Sequence, residues 1–348
     1  MKIISIDKKE WNKGLQQSRA LYRLTGPVKD QSTHFYKDLG DDEYPDMDFG
    51  ETTLSPKSIL FPQSEVMLSF TTDKASADCN IMKEVPKDYP ARAVVGIRPY
   101  DAKALQILKL NYDTEEYKDP YWLKAYNACT FIGLADNSPS GFDFSTSCNT
   151  GPFDEAGLDV LLVDTDDTYL AKVLSDRGSD FLNDAGFSTA ADDNAADLID
   201  NMKQAAESKI TFTINYDKIA EKTVPELFDA DHWEETAFAC INCGTCTYSC
   251  PTCWCFDIQD ETSGTEGVRI KQWDSCMTGL FTLHGSGHNP RDYPWQRTRQ
   301  RFMHKLKYFS DKYQQGIMCV GCGRCVNQCP VNIDIRNICN KMNDYRKE

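Results

Sequence analysis

Of the 15 cysteines in this 348-residue chain, twelve lie from residue 240 onward, and eight of those form two copies of one pattern. The first copy reads Cys240-Ile-Asn-Cys243-Gly-Thr-Cys246-Thr-Tyr-Ser-Cys250-Pro251, and the second reads Cys319-Val-Gly-Cys322-Gly-Arg-Cys325-Val-Asn-Gln-Cys329-Pro330. Each is C-x2-C-x2-C-x3-C-P, the run that holds [4Fe–4S] clusters. The step sizes have a mechanism. Three thiolates separated by two residues let one tight loop wrap three corners of an iron–sulfur cube. The longer step to the fourth, followed by proline, points that sulfur away and fixes φ where the chain leaves.

In this pattern the fourth cysteine of each run ligates the other cluster. The expected ligand sets are therefore crossed. Cys240, Cys243, Cys246 and Cys329 would hold one cluster; Cys319, Cys322, Cys325 and Cys250 would hold the other. Gly244 and Gly323 occupy the same slot in the two runs, where a residue without Cβ can take φ > 0 and let backbone N–H groups approach the cofactor. Such N–H···S bonds and local burial set reduction potential. The competing readings are zinc and disulfides. A structural zinc site draws on paired C-x2-C units separated by a longer loop, whereas here four thiols crowd into eleven residues, twice, with a proline after each.

Composition bounds the rest. Hydrophobic content of 41% and charged content of 26% are those of an ordinary globular chain long enough for two domains. A net charge of −15 disfavours nucleic acid or an anionic membrane surface as the main partner. The N-terminal stretch lacks the apolar run of a signal peptide, and no segment approaches a membrane span. Cysteines concentrated in one third of a long chain point to metal in a reducing compartment, so the chain is expected to be cytoplasmic.

Along the chain, a helix is expected from Lys8 to about Leu24, ended by Gly26-Pro27, and an acidic solvated loop over Asp38–Asp48. From about 57 to 220 short strands alternate with helices: Ile59–Phe70, Ala91–Ile97, Thr130–Ala135 and Leu158–Val163 read as strands. Asp101 reads as the N-cap of a helix over Ala102–Leu110, Asp119-Pro120 opens another, and a third runs from Asp192 or Asp193 to about Ser208. No nucleotide-binding fingerprint occurs there, so the region reads as a scaffold or docking domain. Ile210–Asn215 reads as a last strand and Pro225–Phe238 as a helix delivering the chain to Cys240. Beyond it β signals fade. A helix from about Pro294 carries Trp295, Phe302, Leu306 and Phe309 as a core stripe, and Ile333–Lys347 reads as helical. The long insertion between the cysteine runs suggests an α-helical dicluster domain rather than a compact ferredoxin.

Three further thiols, Cys253, Cys255 and Cys276, are either ligands of an additional cluster or buried apolar packing; Cys339 reads as core. Arg291, Arg297, Arg299, Arg301, Lys305 and Lys307 make a local reversal of charge. It reads first as a solvated helix face, with the alternative of a positive face that stabilises reduced clusters or docks an acidic partner. None of the five histidines sits in a catalytic context, and His284 and His288 read as loop residues.

The blocks Cys250-Pro-Thr-Cys-Trp-Cys-Phe-Asp-Ile-Gln-Asp260, Trp273-Asp-Ser-Cys-Met277, Gly287-His-Asn-Pro-Arg291, Phe302-Met-His-Lys305 and Pro330-Val-Asn-Ile-Asp-Ile-Arg336 resemble the β subunit of sulfhydrogenases. They are also similar to the iron–sulfur subunits of anaerobic sulfite reductase and of flavin oxidoreductases paired with heterodisulfide reductase. Upstream, Phe61–Val66, Gly96–Asp101 and Asn149–Pro152 carry the same resemblance, which thus covers most of the chain. Many relatives have cysteines where this chain has Tyr100, Asp136, Asp143 and Ser145. The resemblance therefore implies that an extra cluster bound there in relatives is absent here.

What the resemblance implies is a non-catalytic electron-transfer subunit of an anaerobic oxidoreductase. Single electrons would pass between a subunit binding FAD and NAD(P)H and a terminal hydrogenase, sulfite reductase or heterodisulfide reductase subunit. The expected architecture is an α/β domain over 1–225, then an all-α, ferredoxin-type domain over 226–348 with two [4Fe–4S] clusters. The alternatives are a catalytic reductase subunit with a third cluster at Cys253, Cys255 and Cys276, and a zinc-stapled interaction module.

Overall fold

The computed structural model describes residues 2–346. Its strands, in chain order, are β1 (Ile3–Asp7), β2 (Arg23–Asp30), β3 (Thr33–Asp38), β4 (Ser64–Thr71), β5 (Lys83–Glu84), β6 (Arg92–Ile97), β7 (Cys129–Leu134), β8 (Val160–Thr165), β9 (Thr168–Val173), β10 (Phe256–Ser263) and β11 (Glu266–Trp273). Seven of them make one sheet in the order β1-β9-β8-β7-β6-β2-β3. The pairs β2–β6, β6–β7 and β7–β8 are parallel, and antiparallel strands close both edges. The parallel strands β6 and β7 read as unbroken apolar runs because helices cover both faces. Val94, Phe131 and Leu161 face a core with Leu105, Trp122 and Ile199. Ala93, Ile132 and Leu162 face the opposite one, with Trp11, Leu15 and Phe181.

The first helix is shorter than expected, Lys8–Ser18, capped by Asp7, whose Oδ1 accepts from Lys9 N at 2.8 Å. Gly26-Pro27 does not end it but lies inside β2. Pro27 has no N–H to donate, and it is tolerated because the β2–β6 ladder stops at Thr25. Strands β1, β3 and β9 carry too few consecutive apolar residues to announce themselves; their neighbours recruit them. The segment 210–215 forms no strand, and 225–238 holds two short helices, Val224–Phe228 and Trp233–Ala237, rather than one. Asp119 caps its helix as expected, accepting from Tyr121 N and Trp122 N. Asp101 is not a cap: Arg98 holds that position, and Asp101 points its carboxylate into the interior.

The all-α expectation for 226–348 is corrected by β10 and β11. They form an antiparallel hairpin, with Ser263 opposite Glu266, and β11 pairs in turn with β4 to give the sheet β10-β11-β4-β5. Every residue of β10 is exposed, so the sequence shows no alternation there. The local signal for the hairpin is the two-residue loop Gly264-Thr265, whose first residue takes φ +63° as a hairpin glycine does. The rest of the region is helical. Helix Pro294–Met303 runs through a π-turn, His304–Tyr308, into Phe309–Tyr313, and the last helix is Ile335–Asp344. Lys347, expected in that helix, lies outside the described residues. Phe302, Leu306, Ile338 and Cys339 pack together in this core, and Trp295 packs at its edge.

Candidate metal centre

The two cysteine runs fold alike because their backbones turn at matching positions. Asn242 and Gly321 take φ of +55° and +68°; Gly244 and Gly323 take +78° and +81°. After each glycine the chain makes one helical turn, Thr245–Tyr248 or Arg324–Asn327, and the two turns pack against each other. The second run is fitted more tightly. A Cβ at Gly323 would lie 2.6 Å from Phe142 O, and one at Gly321 would lie 2.4 Å from Ser145 Cα. At Gly244 the nearest obstacle is the Tyr248 ring, at 2.9 Å.

Cys240, Cys243, Cys246 and Cys329 line one cavity, together with Pro330, Ile333, Met277 and Phe302. Three loop thiols of the first run thus meet the fourth thiol of the second. Cys250, from the first run, lies within electrostatic reach of Cys319, Cys322 and Cys325. Among the described residues no three His, Cys, Asp or Glu gather around a point as a single metal ion requires. Four thiols along one cavity wall are the donor set that a [4Fe–4S] cluster takes. Backbone N–H groups also turn toward sulfur: Gly321 N lies 3.5 Å from Cys319 Sγ, and Ile333 N lies 3.2 Å from Cys329 Sγ.

Cations surround these thiols. Lys57, Arg301 and Lys305 are all buried, yet none has a carboxylate at ion-pair distance among the described residues. Lys57 Nζ donates to the carbonyls of Thr247, Cys250 and Cys253 at 3.2, 2.9 and 3.0 Å. Lys305 Nζ donates to Thr252 Oγ1 at 2.8 Å and Met318 O at 3.1 Å, and Arg301 Nη2 reaches Cys246 O at 3.3 Å. Burial opposes the charged form of all three. At Lys57 burial wins and the pKa falls; at Arg301 and Lys305 the surrounding thiolates outweigh it and the pKa rises. A buried charge needs a counter-charge. Among the described residues the negative groups at hand are sulfur, and the thiolates of an iron–sulfur site would supply that charge.

The basic segment is accordingly not a solvated face. Arg301, Lys305 and Lys307 turn inward, and Lys305 and Lys307 leave from the π-turn, a local irregularity that often re-aims side chains at functional sites. Arg299 lies over the Phe228 ring, 3.4 Å from its centroid, and Arg297 donates to Asn242 Oδ1 at 3.0 Å, bracing the first cysteine loop.

The other thiols are close by. Cys253 contacts Cys250, and Cys255 contacts Cys276. Cys148, given no role from sequence, lies against Cys319. Tyr100, Asp136, Asp143 and Ser145 are all buried beside the second run, where Phe144 N donates to Gly321 O at 2.9 Å. Burial pushes the Asp143 carboxyl up to about 6, although its Oδ1 accepts from Ser145 N at 2.7 Å. His284 and His288 are exposed in their loop and contact each other edge to face.

The two expected ligand sets differ in access. Cys243 is exposed, and its neighbours Phe238 and Ile241 are 92% and 64% exposed, whereas Cys250 and Cys322 are buried. No helix among the described residues is long and apolar enough to cross a membrane.

Residues 239–333 match the family model of the 4Fe–4S dicluster domain. The chain is 26% identical over 339 residues to sulfhydrogenase 2 subunit beta of Pyrococcus furiosus, covering 96% of each chain. No solved structure matches. Both findings support the sulfhydrogenase β-subunit resemblance, and the C-terminal region is an iron–sulfur, 4Fe–4S dicluster domain of an electron-transport protein.

Proposed function

We propose that this chain, an iron–sulfur protein similar over nearly its whole length to a sulfhydrogenase β subunit, is the electron-relay subunit of a larger oxidoreductase and holds two [4Fe–4S] clusters. Cys240, Cys243, Cys246 and Cys329 would hold one; Cys319, Cys322, Cys325 and Cys250 would hold the other. Such clusters store and pass one electron at a time. The observation that carries this reading is the set of buried cations, Lys57, Arg301 and Lys305. They bond to carbonyl and hydroxyl oxygens around the cysteine loops, lie within electrostatic reach of cysteine sulfur and have no carboxylate at ion-pair distance among the described residues.

The residues of this chain set the terms of the relay. Crossed loops tie the two sites together, which matters because electron tunnelling falls steeply with distance. Cations stabilise added negative charge more than they stabilise the oxidised state, so they favour reduction. Gly244 and Gly323 allow the loops to close without a side chain between backbone and cofactor. The exposed Cys243 makes the first site the natural point of exchange with a partner. The partners are a flavin subunit that handles NAD(P)H and a terminal hydrogenase, sulfite reductase or heterodisulfide reductase subunit.

Affinity purification without oxygen, with metal analysis and identification of co-purifying chains, tests this. About eight irons per chain and a flavin or nickel or sirohaem protein in the eluate are expected. A colourless, iron-free preparation, or one with stoichiometric zinc, would overturn the proposal.

A further inference from the structure

Cys255 and Cys276 flank the hairpin, one residue before β10 and three after β11. The ladder continues past the strands, with Asp274 N donating to Cys255 O at 3.0 Å, so the two chain ends run side by side. The Cys276 backbone N–H turns to the Cys255 sulfur, and the two thiols contact each other directly. The Cys276 segment is anchored: Ser275 Oγ lies 2.7 Å from Thr247 Oγ1 and accepts from Met277 N at 3.1 Å. Cys276 is buried, while Cys255 is half-buried and so reachable from solvent.

A disulfide needs Cα atoms about 4.4–6.8 Å apart, and Cys276 lies two residues past Asp274, which is hydrogen-bonded to Cys255 across the ladder. A partly open thiol backed by a buried one is also the usual arrangement of a reversible redox pair. The pair lies next to the proposed cluster sites, since Cys253, two residues before Cys255, contacts Cys250. Lys57 donates to the carbonyls of both Cys250 and Cys253 and acts electrostatically on Cys255 as well. A third cluster here would need a fourth ligand, and Cys250, which neighbours Cys253, belongs to the crossed set.

We propose that Cys255 and Cys276 form a dithiol–disulfide couple that exchanges two electrons with the neighbouring iron–sulfur sites, an inference that rests on the two-cluster reading. In the reducing direction the Cys255–Cys276 S–S bond breaks. Two electrons arrive singly from one-electron iron–sulfur donors, each donor is oxidised by one electron, and two protons enter from solvent to give two thiols. In the oxidising direction the S–S bond forms and the same electrons and protons leave. The couple joins one-electron traffic to two-electron chemistry within this chain.

The test uses the full chain purified without oxygen and poised with a dithiothreitol redox buffer. Samples are alkylated in denaturant, digested with trypsin and read by mass spectrometry, with iron assayed on the same sample. At the oxidising end the peptide bearing Cys276 should be linked to the peptide bearing Cys255, with iron still about eight per chain; at the reducing end both thiols should be alkylated. C255S and C276S should each abolish the link and keep about eight irons. Free thiols at both ends of the titration, at full iron, would overturn the couple. Loss of about four irons in either variant would also overturn it, by making these residues ligands. An iron-free preparation would remove the electron supply, and the iron assay would trace that failure to the two-cluster reading.

Discussion

Arg324 and Asp101 form a fully buried, two-pronged ion pair across the protein, with Nη1–Oδ1 at 2.6 Å and Nη2–Oδ2 at 2.8 Å between residues 223 positions apart. Arg324 directly follows Gly323 in the second cysteine run, and Asp101 sits in the first turn of the helix after β6. Arg324 Nε and Nη2 also donate to Thr52 O and Oγ1, at 2.8 and 3.1 Å. The geometry of the second cysteine loop is therefore tied to the helix after β6 and to the loop at Thr52.

Removing one partner of such a pair leaves the other charge buried and alone, at about 3–5 kcal/mol, whereas removing both costs much less. Asp101→Ala should lower the urea midpoint steeply, and Asp101→Ala/Arg324→Met should recover most of the loss. Equal destabilisation in the single and double variants would show that the pair is not the link.

Crossed ligation is tested by comparing distant cysteines. Cys243→Ala and Cys329→Ala should lose the same cluster and give matching low-temperature paramagnetic spectra, with about four irons left. Cys250→Ala should lose the other. If Cys329→Ala instead matched Cys322→Ala, each run would hold its own cluster.

The buried cations should be visible in the potentials. Lys305→Met removes a positive charge beside Cys250, Cys253 and Cys319. One cluster should become harder to reduce, by on the order of tens of millivolts, where about 59 mV is a tenfold change for a single electron. Spectroscopic redox titration reads this directly. An unchanged midpoint would remove Lys305 from the electrostatics of the site.

Gly244 and Gly323 share a backbone conformation but not their surroundings. Both substitutions to alanine carry the left-handed penalty of about 1–2 kcal/mol. Gly323→Ala also drives a methyl group into Phe142 O, which is backbone and cannot yield, while at Gly244 the Tyr248 ring can rotate. Gly323→Ala should therefore lower the melting temperature and cluster content more than Gly244→Ala. The reverse order would contradict the packing.

Asp143 gives the pH dependence. Its folded pKa, about 6, lies above the unfolded value of about 3.9, so the folded state holds the proton more tightly. The stability this contributes is present below about pH 4 and is lost as the pH rises through about 6, up to about 3 kcal/mol in all. Asp143→Asn should flatten stability across that window and leave the protein more stable than the parent at pH 7, as measured by urea unfolding. An unaltered slope would assign the window to other groups.

Much of this was legible in the sequence because covalent spacing fixed it. Cys240 to Cys250 and Cys319 to Cys329 announced their chemistry within eleven residues each, and β6, β7 and β8 are unbroken apolar runs. What stayed hidden depends on partners remote along the chain. Strand β10 is polar at nearly every position and exists because β11 pairs with it. Asp101 has the local pattern of a helix cap, and only Arg324, remote in sequence, gives its carboxylate a buried partner. Lys305 belonged to a segment that looks solvated by composition alone, and the π-turn that rotates it inward leaves no mark in the residue pattern. Lys57, nearly two hundred positions before the carbonyls it binds, had no local signal at all.

The ladder between β4 and β11 means that the stretch separating the two cysteine runs is completed by residues 64–71. Anyone wishing to graft the cysteine-rich region onto another protein could not excise the C-terminal third as a cassette. Such a piece would arrive with an unpaired strand edge and without the ammonium of Lys57. The smallest portable unit is close to the whole chain.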